Sequence, residues 1–206
     1  MKVSLIGDSI RMQYEPRVRE LLGDCYEVFG PEENCRFSKY TLRGLWDWSD
    51  GIRGSRIIHW NNGLWDICSI FEDGKIFTSE EEYVENMLRI ADLMLNRCDK
   101  LIFATTTPVS KMNPYNKNEH IKRYNDILVP KLIEKGVIIN DLYSLIAVDV
   151  DRYICEDNIH LSPEGVELCA RQVADFILSA AATLDDKICN SNCDIKLDKT
   201  GAPILI

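Results

Sequence analysis

No stretch of this 206-residue chain approaches the roughly 18 consecutive apolar residues that a bilayer-spanning helix needs. Basic clusters are missing too. With 24 Lys and Arg against 33 Asp and Glu, the net charge is −9, which argues against a nucleic-acid partner, since such binding starts from phosphate neutralisation. There is no GxxxxGK[ST], no GxGxxG and no HExxH, so nucleotide, dinucleotide and metalloprotease signatures are absent, and neither cofactor nor metal is expected. The opening MKVSLIGDSI has one basic residue, a short apolar stretch and an acid at position 8, which is not the pattern of a secretory signal. With Met1 as the native start, the expectation is a cytoplasmic protein. Histidine is scarce: His59, His120 and His160 are all the chain has.

Cysteine is not scarce. Cys25, Cys35, Cys68, Cys98, Cys155, Cys169, Cys189 and Cys193 make eight. An intracellular chain keeps its thiols reduced, and several of these sit in apolar helical patterns where Cys behaves as a small hydrophobe. Free thiols are therefore expected. CNSNC at 189–193 stands in a polar tail, where it could bridge or take a metal, but it lacks zinc-ligand spacing and a nearby His.

What the chain does have is alternation. KVSLIG (2–7), YEVFG (26–30), RIIHW (56–60), KLIFATTT (100–107) and VIIND (137–141) read as strands. Between them lie amphipathic stretches at about 14–22, at 78–98 with a Ser79–Glu82 capping box, and at 116–136, where Gly136 closes the helix and Pro130 should kink or interrupt it. A last helix is predicted over 162–184, with Ser162 at the N-cap and Pro163 at the first helical position. Strand alternating with helix predicts an α/β domain with a parallel five-stranded sheet covered on both faces. The domain is expected to fill 1–184, leaving 185–206 as a tail that packs on it or moves.

Parallel sheets bind ligands at the carboxyl ends of their strands. Gly7-Asp8-Ser9 follows the first strand and Asn61-Asn62-Gly63-Leu64-Trp65-Asp66 the third, while Asp157-Asn158-Ile159-His160 precedes the last helix. A serine hydroxyl needs a base to become a nucleophile, and the base needs an orienting acid. His120 lies in a polar helix and His59 in an apolar strand. His160 lies in a loop, three residues after Asp157, a spacing that lets the carboxylate hold Nδ1–H and leaves Nε2 for Ser9.

IGDSI (6–10), Gly44 in TLRGL, HWNNGLWD (59–66), LIFATTTP followed by IKRYNDIL, and DNIHLSPEG (157–165) together resemble the SGNH/GDSL hydrolases over about residues 2–180. That family comprises serine esterases and lipases on a flavodoxin-like three-layer α/β/α sandwich. The resemblance implies Ser9 as nucleophile, His160 as general base and acid, and Asp157 as its orienting residue. It also implies an oxyanion hole from the N–H groups of Ser9 and Gly44 and an asparagine side chain. The family's usual Gly-x-Asn-Asp departs here, with Trp65 at the asparagine position, so Asn62 is the expected donor and Asn61 the runner-up. Asp8, Arg11, Trp65 and Trp46 are the candidates for substrate contact, although Arg11 could equally pair with an acid of the scaffold. The expected activity is hydrolysis of a small-molecule or carbohydrate ester, favouring a short acyl group such as acetyl. A lysophospholipase or thioesterase, or an acyltransferase or binding protein on the same scaffold, remains the alternative.

Overall fold

The computed structural model describes residues 1–191, with side chains to residue 184. Its sheet has the strands β1 (Lys2–Ile6), β2 (Glu27–Phe29), β3 (Ile57–Trp60), β4 (Lys100–Ala104) and β5 (Ile138–Asn140). All neighbours pair parallel in the order β2-β1-β3-β4-β5, with Ser4 beside Ile58, Ile58 beside Leu101, and Ile102 beside Ile138. Strands buried on both faces read as continuous apolar runs. Val3, Leu5 and Ile6 of β1, Ile57, Ile58 and Trp60 of β3, and Leu101 to Ala104 of β4 are accordingly all buried. Ser4, a polar interloper in β1, shares a hydrogen bond with the hydroxyl of Ser55 at 2.7 Å.

The chain leaves β1 through α1 (Ser9–Leu22) toward β2. It then reverses through α2 (Ser38–Asp47) and α3 (Ser49–Ile52) to β3, and continues through α4 (Leu64–Ile67), α5 (Glu80–Leu95) and α6 (Asn118–Glu134) to β4 and β5. Right-handed crossovers in opposite directions place α1 on one face of the sheet and α2, α5 and α6 on the other. The chain ends with α7 (Leu142–Ala147), α8 (Val150–Tyr153) and α9 (Pro163–Ser191), and α9 packs on α1 and β3. The result is the expected three-layer α/β/α sandwich. The strand order reverses at β1, and the crevice between the carboxyl ends of β1 and β3 is where such sheets take ligands.

Several local expectations change. Helix α1 begins at Ser9 rather than near 14, because the Asp8 carboxylate accepts from Ile10 N at 3.0 Å and caps it immediately. Helix α6 runs through Pro130 without interruption. The ring removes one main-chain bond, but buried Leu128 and Leu132 hold both sides of it against the core. Gly136, just beyond the helix, has φ +81°, a left-handed conformation suited to glycine. Ser79 accepts from Glu82 N, but the Glu82 carboxylate pairs with Lys39 instead of closing the box. Helix α9 continues to Ser191, so the boundary expected at 184 falls inside a helix. The remainder of the tail, with the Cys189–Cys193 question, lies outside the described residues. Cys25, Cys35, Cys68, Cys98, Cys155 and Cys169 are free thiols. Among the described residues, no helix is long and apolar enough to cross a membrane.

Candidate active site

Ser9 occupies the first position of α1, directly above the end of β1. The first amides of a helix have no intrahelical acceptor and lie at its positive end. Ser9 N–H is therefore available to a developing anion. Gly7 is required by close approach, since a Cβ there would lie 2.0 Å from Asn61 Oδ1 and 2.8 Å from Arg11 Cβ.

The loop between α8 and α9 carries the histidine. An antiparallel bridge of Ile154 to Leu161 closes its base, Cys155 N donates to His160 O at 2.8 Å, and Asn158 makes the turn with φ +70°. Inside this turn Asp157 gathers donors. Its Oδ1 accepts from Ile159 N at 3.0 Å, His160 N at 2.9 Å and the Cys155 thiol at 3.1 Å, and its Oδ2 lies 2.6 Å from His160 Nδ1. Partial burial works to raise the pKa of Asp157. The donors from Ile159, His160 and Cys155 outweigh it and hold the carboxyl well below the usual range, so it is a carboxylate at any physiological pH. The other imidazole nitrogen, Nε2, lies 2.9 Å from Ser9 Oγ. Ser9, His160 and Asp157, spread over 150 positions, thus form one continuous hydrogen-bonded path.

The whole architecture has known counterparts. A lipase/acylhydrolase from Enterococcus faecalis superposes with a TM-score of 0.72 at 18% identity, covering 85% of this chain and 94% of that one. A GDSL-like lipase from Bacteroides thetaiotaomicron gives 0.68 at 16% identity over 87% and 88% of the two chains. A variant of an acetyl-xylooligosaccharide esterase from Geobacillus gives 0.69 at 15% identity over 84% and 91%. The fold is that of the SGNH/GDSL hydrolases. No family model matches the sequence, and no curated protein sequence matches it significantly.

On this SGNH-type scaffold the other candidate residues sort differently from expectation. Gly44 lies inside α2, where its N–H belongs to the helical ladder and its bare Cα is packed by the Trp48 ring. It is not free to serve an oxyanion. The loop that does reach the Gly7–Ser9 turn is 33–36, where Cys35 N donates to Gly7 O at 3.1 Å and Arg36 takes a left-handed φ of +50°. Asn62 is also displaced from its expected part. Both of its N–H bonds are spent, on Arg36 O at 2.8 Å and Thr41 Oγ1 at 2.9 Å, and its Oδ1 accepts from Trp60 Nε1 at 2.7 Å. A carboxamide has two donors, and neither is left. Asn61 differs: one N–H goes to Asp8 Oδ1 at 2.9 Å, the second is uncommitted, and the group lies against Gly7.

The substrate candidates shift as well. Arg11 is buried, with Nη1 on Glu15 at 2.5 Å and Nη2 on Glu33 O at 2.8 Å and Gly7 O at 3.4 Å. It braces the 33–36 loop and faces no solvent. Asp8 is buried too. Desolvation raises its pKa against the hydrogen bonds from Asn61 and Ile10, and it caps α1 rather than meeting substrate. Trp46 is exposed, but it lines an outer groove with Lys39, Leu42, Arg43, Arg89 and Leu93, away from the Ser9 path. Trp65, half exposed one position into α4, stays beside the third loop.

Two buried groups complete the surroundings. Asp66 accepts from Ser38 N and, at 2.6 Å, from Ser38 Oγ, pinning the start of α2 to the third loop. Burial pushes its pKa up to about 6 despite the Ser38 hydrogen bonds. His59 is a core residue, with Asn140 Nδ2 3.1 Å from its Nε2, and burial pushes it down to about 3, so it stays neutral. The sequence reading missed Cys155, the 33–36 loop and Gln13. Only Gln13, four residues beyond Ser9, left a positional signal.

Proposed function

We propose that this protein is a serine esterase or acylhydrolase with Ser9, His160 and Asp157 as its triad. The observation that supports this most is the path from Ser9 Oγ to His160 Nε2 (2.9 Å) and from His160 Nδ1 to Asp157 Oδ2 (2.6 Å), at the strand crevice where this fold takes ligands. In the proposed reaction Ser9 Oγ attacks the ester carbonyl while His160 Nε2 takes its proton. The carbonyl oxygen becomes an oxyanion, met by Ser9 N–H and the uncommitted Asn61 Nδ2–H. The ester C–O bond then breaks, His160 returns its proton to the departing alcohol, and an acyl-Ser9 remains. Water, deprotonated by His160, attacks that acyl group by the same route and frees Ser9. Asp157 stays ionised and stabilises the imidazolium.

The substrate reading is a short acyl group, acetyl foremost, on a carbohydrate alcohol. Trp65 at the rim offers a ring face for a sugar, and two structural relatives are acetyl-xylooligosaccharide and acetyl xylan esterases. The test is hydrolysis of p-nitrophenyl acetate and octanoate by wild type and Ser9→Ala. The expected result is a loss of about 10³-fold or more in the variant, with acetate preferred. A wild-type rate no greater than that of Ser9→Ala refutes the triad, and octanoate outrunning acetate refutes the acyl assignment.

A further inference from the structure

Steps of four along α1 bring Ser9, Gln13 and Arg17 onto one helix face. All three reach the segment running from His160 into α9. Ser9 Oγ meets His160 Nε2, Arg17 Nε donates to Glu167 Oε2 at 2.8 Å, and Gln13 meets Leu161 between them. The Gln13 contact is the most exacting. Gln13 Nε2 donates to Leu161 O at 3.1 Å, and Leu161 N donates to Gln13 Oε1 at 3.0 Å. One carboxamide thereby satisfies both main-chain groups of the residue next to His160, as a neighbouring strand would, across 148 positions of sequence. Only a planar group carrying both a donor and an acceptor can close this ring.

The histidine loop is otherwise tied to itself and to the 110–113 segment, with Ser110 N at 3.1 Å and Asn113 Nδ2 at 3.2 Å both donating to Asn158 O. Those ties fix its shape but do not reference it to α1, which carries the nucleophile. The distance from Ser9 Oγ to His160 Nε2 depends on how two separate elements dock, and misplacement by about 1 Å at a reacting pair costs on the order of 10²-fold in rate. We propose that Gln13 is a positioning residue that sets the Ser9–His160 distance by clamping the main chain of Leu161 to α1. The proposal rests on the esterase reading above.

The test compares Gln13→Leu, Gln13→Glu and Arg17→Ala with wild type. Four quantities are read: kcat and KM on p-nitrophenyl acetate, labelling of Ser9 by a fluorophosphonate, and hydrogen exchange of the Leu161 amide. Gln13→Leu should lower kcat by about 10- to 100-fold with KM within about threefold, slow labelling in proportion, and speed Leu161 exchange. Gln13→Glu keeps the acceptor for Leu161 N but turns an ionised oxygen toward Leu161 O. Its rate relative to wild type should recover as pH falls and the protonated carboxyl regains a donor. Arg17→Ala loses two surface ion pairs, to Glu20 and Glu167, from the same face, and its kcat should stay within about twofold. The proposal is overturned if Gln13→Leu keeps kcat within about threefold, if Arg17→Ala loses as much, or if the Gln13→Glu ratio is flat with pH. A wild type that neither turns over nor labels brings down the esterase reading and this role with it. An active wild type with an unimpaired Gln13→Leu brings down this role alone.

Discussion

Replacing Asn61 and Asn62 separately by alanine should split chemistry from stability. The Asn62 side chain makes three hydrogen bonds, two of them buried, with Trp60 Nε1 and Thr41 Oγ1, and one partly buried, to Arg36 O. At about 1 kcal/mol each, plus a desolvation penalty of about 1–3 kcal/mol for a Trp60 N–H left unpaired, Asn62→Ala should lose about 4–6 kcal/mol of stability. In a chain of this size that lowers Tm by roughly 8–24 °C. The variant that remains folded should keep kcat within about threefold, because no donor aimed at the substrate has been removed. Asn61→Ala gives up one good hydrogen bond, to Asp8, and one long contact from Tyr14 at 3.5 Å, so its stability should fall by only about 1–2 kcal/mol. Its kcat on p-nitrophenyl acetate should fall by about 10²–10³-fold, the usual effect of deleting an oxyanion donor. Urea denaturation and initial rates, both well below the lower Tm, measure the two effects side by side. If Asn62→Ala, folded at the assay temperature, loses 10²-fold while Asn61→Ala does not, the donor count above is wrong and Asn62 must reorient when substrate binds.

Arg11→Met should lose about 3–5 kcal/mol in denaturant unfolding, because it strips Glu15 of a buried partner and frees Glu33 O, yet KM should barely move. A KM rise of tenfold with unchanged stability would return Arg11 to the substrate. Asp66 has its folded pKa raised by burial to about 6, above its unfolded value. The folded state therefore holds the extra proton, and this group's contribution to stability is greatest below pH 4, falls as pH climbs from about 4 to 6, and is level above that. The fall is at most about 3 kcal/mol, and Asp66→Asn should remove it; identical stability–pH slopes for the two proteins over that interval would contradict the assignment. Gly7→Ala should cripple activity or folding outright, since its Cβ has no room beside Asn61 Oδ1, and a variant with unchanged Tm and kcat would refute that.

The central strands were legible because β1, β3 and β4 are buried along nearly their whole length and therefore mostly apolar. Lys-Val-Ser-Leu-Ile and Lys-Leu-Ile-Phe-Ala announce themselves, as does the Ser-Pro start of α9. The beginning of α1 was not legible, because Ser9-Ile10-Arg11-Met12-Gln13 has no clean apolar stripe: its buried positions include Arg11 and Glu15, a charged pair that meets inside the fold. Pro130 did not interrupt α6, as the packing of Leu128 and Leu132 offsets a local penalty that the sequence displays openly. The end of α9 was hidden by composition, since the polar residues after 184 carry no signal of continued helix.

The site follows the same division. Ser9, His160 and Asp157, the proposed triad, could be named from the sequence because each proposed role demands a particular residue type and few candidates exist: three histidines, only one of them in a loop with an acid three residues before it. The proposed oxyanion donors could not, because that role demands only an N–H in the right place. Asn61 and Asn62 are chemically identical neighbours, and successive side chains leaving a strand point to opposite sides. One therefore turns toward Gly7 and Asp8, and the other toward Trp60 and Thr41. Which is which depends on the pleat at Trp60, a property of the register between β3 and β1 and not of either asparagine. Gly44 failed for a related reason: its place in a motif-like stretch says nothing about its main chain, and once that stretch is helical the N–H is already taken. Where a function belongs to a side-chain type, sequence can find it. Where it belongs to an uncommitted hydrogen, only the count of partners in the folded chain can.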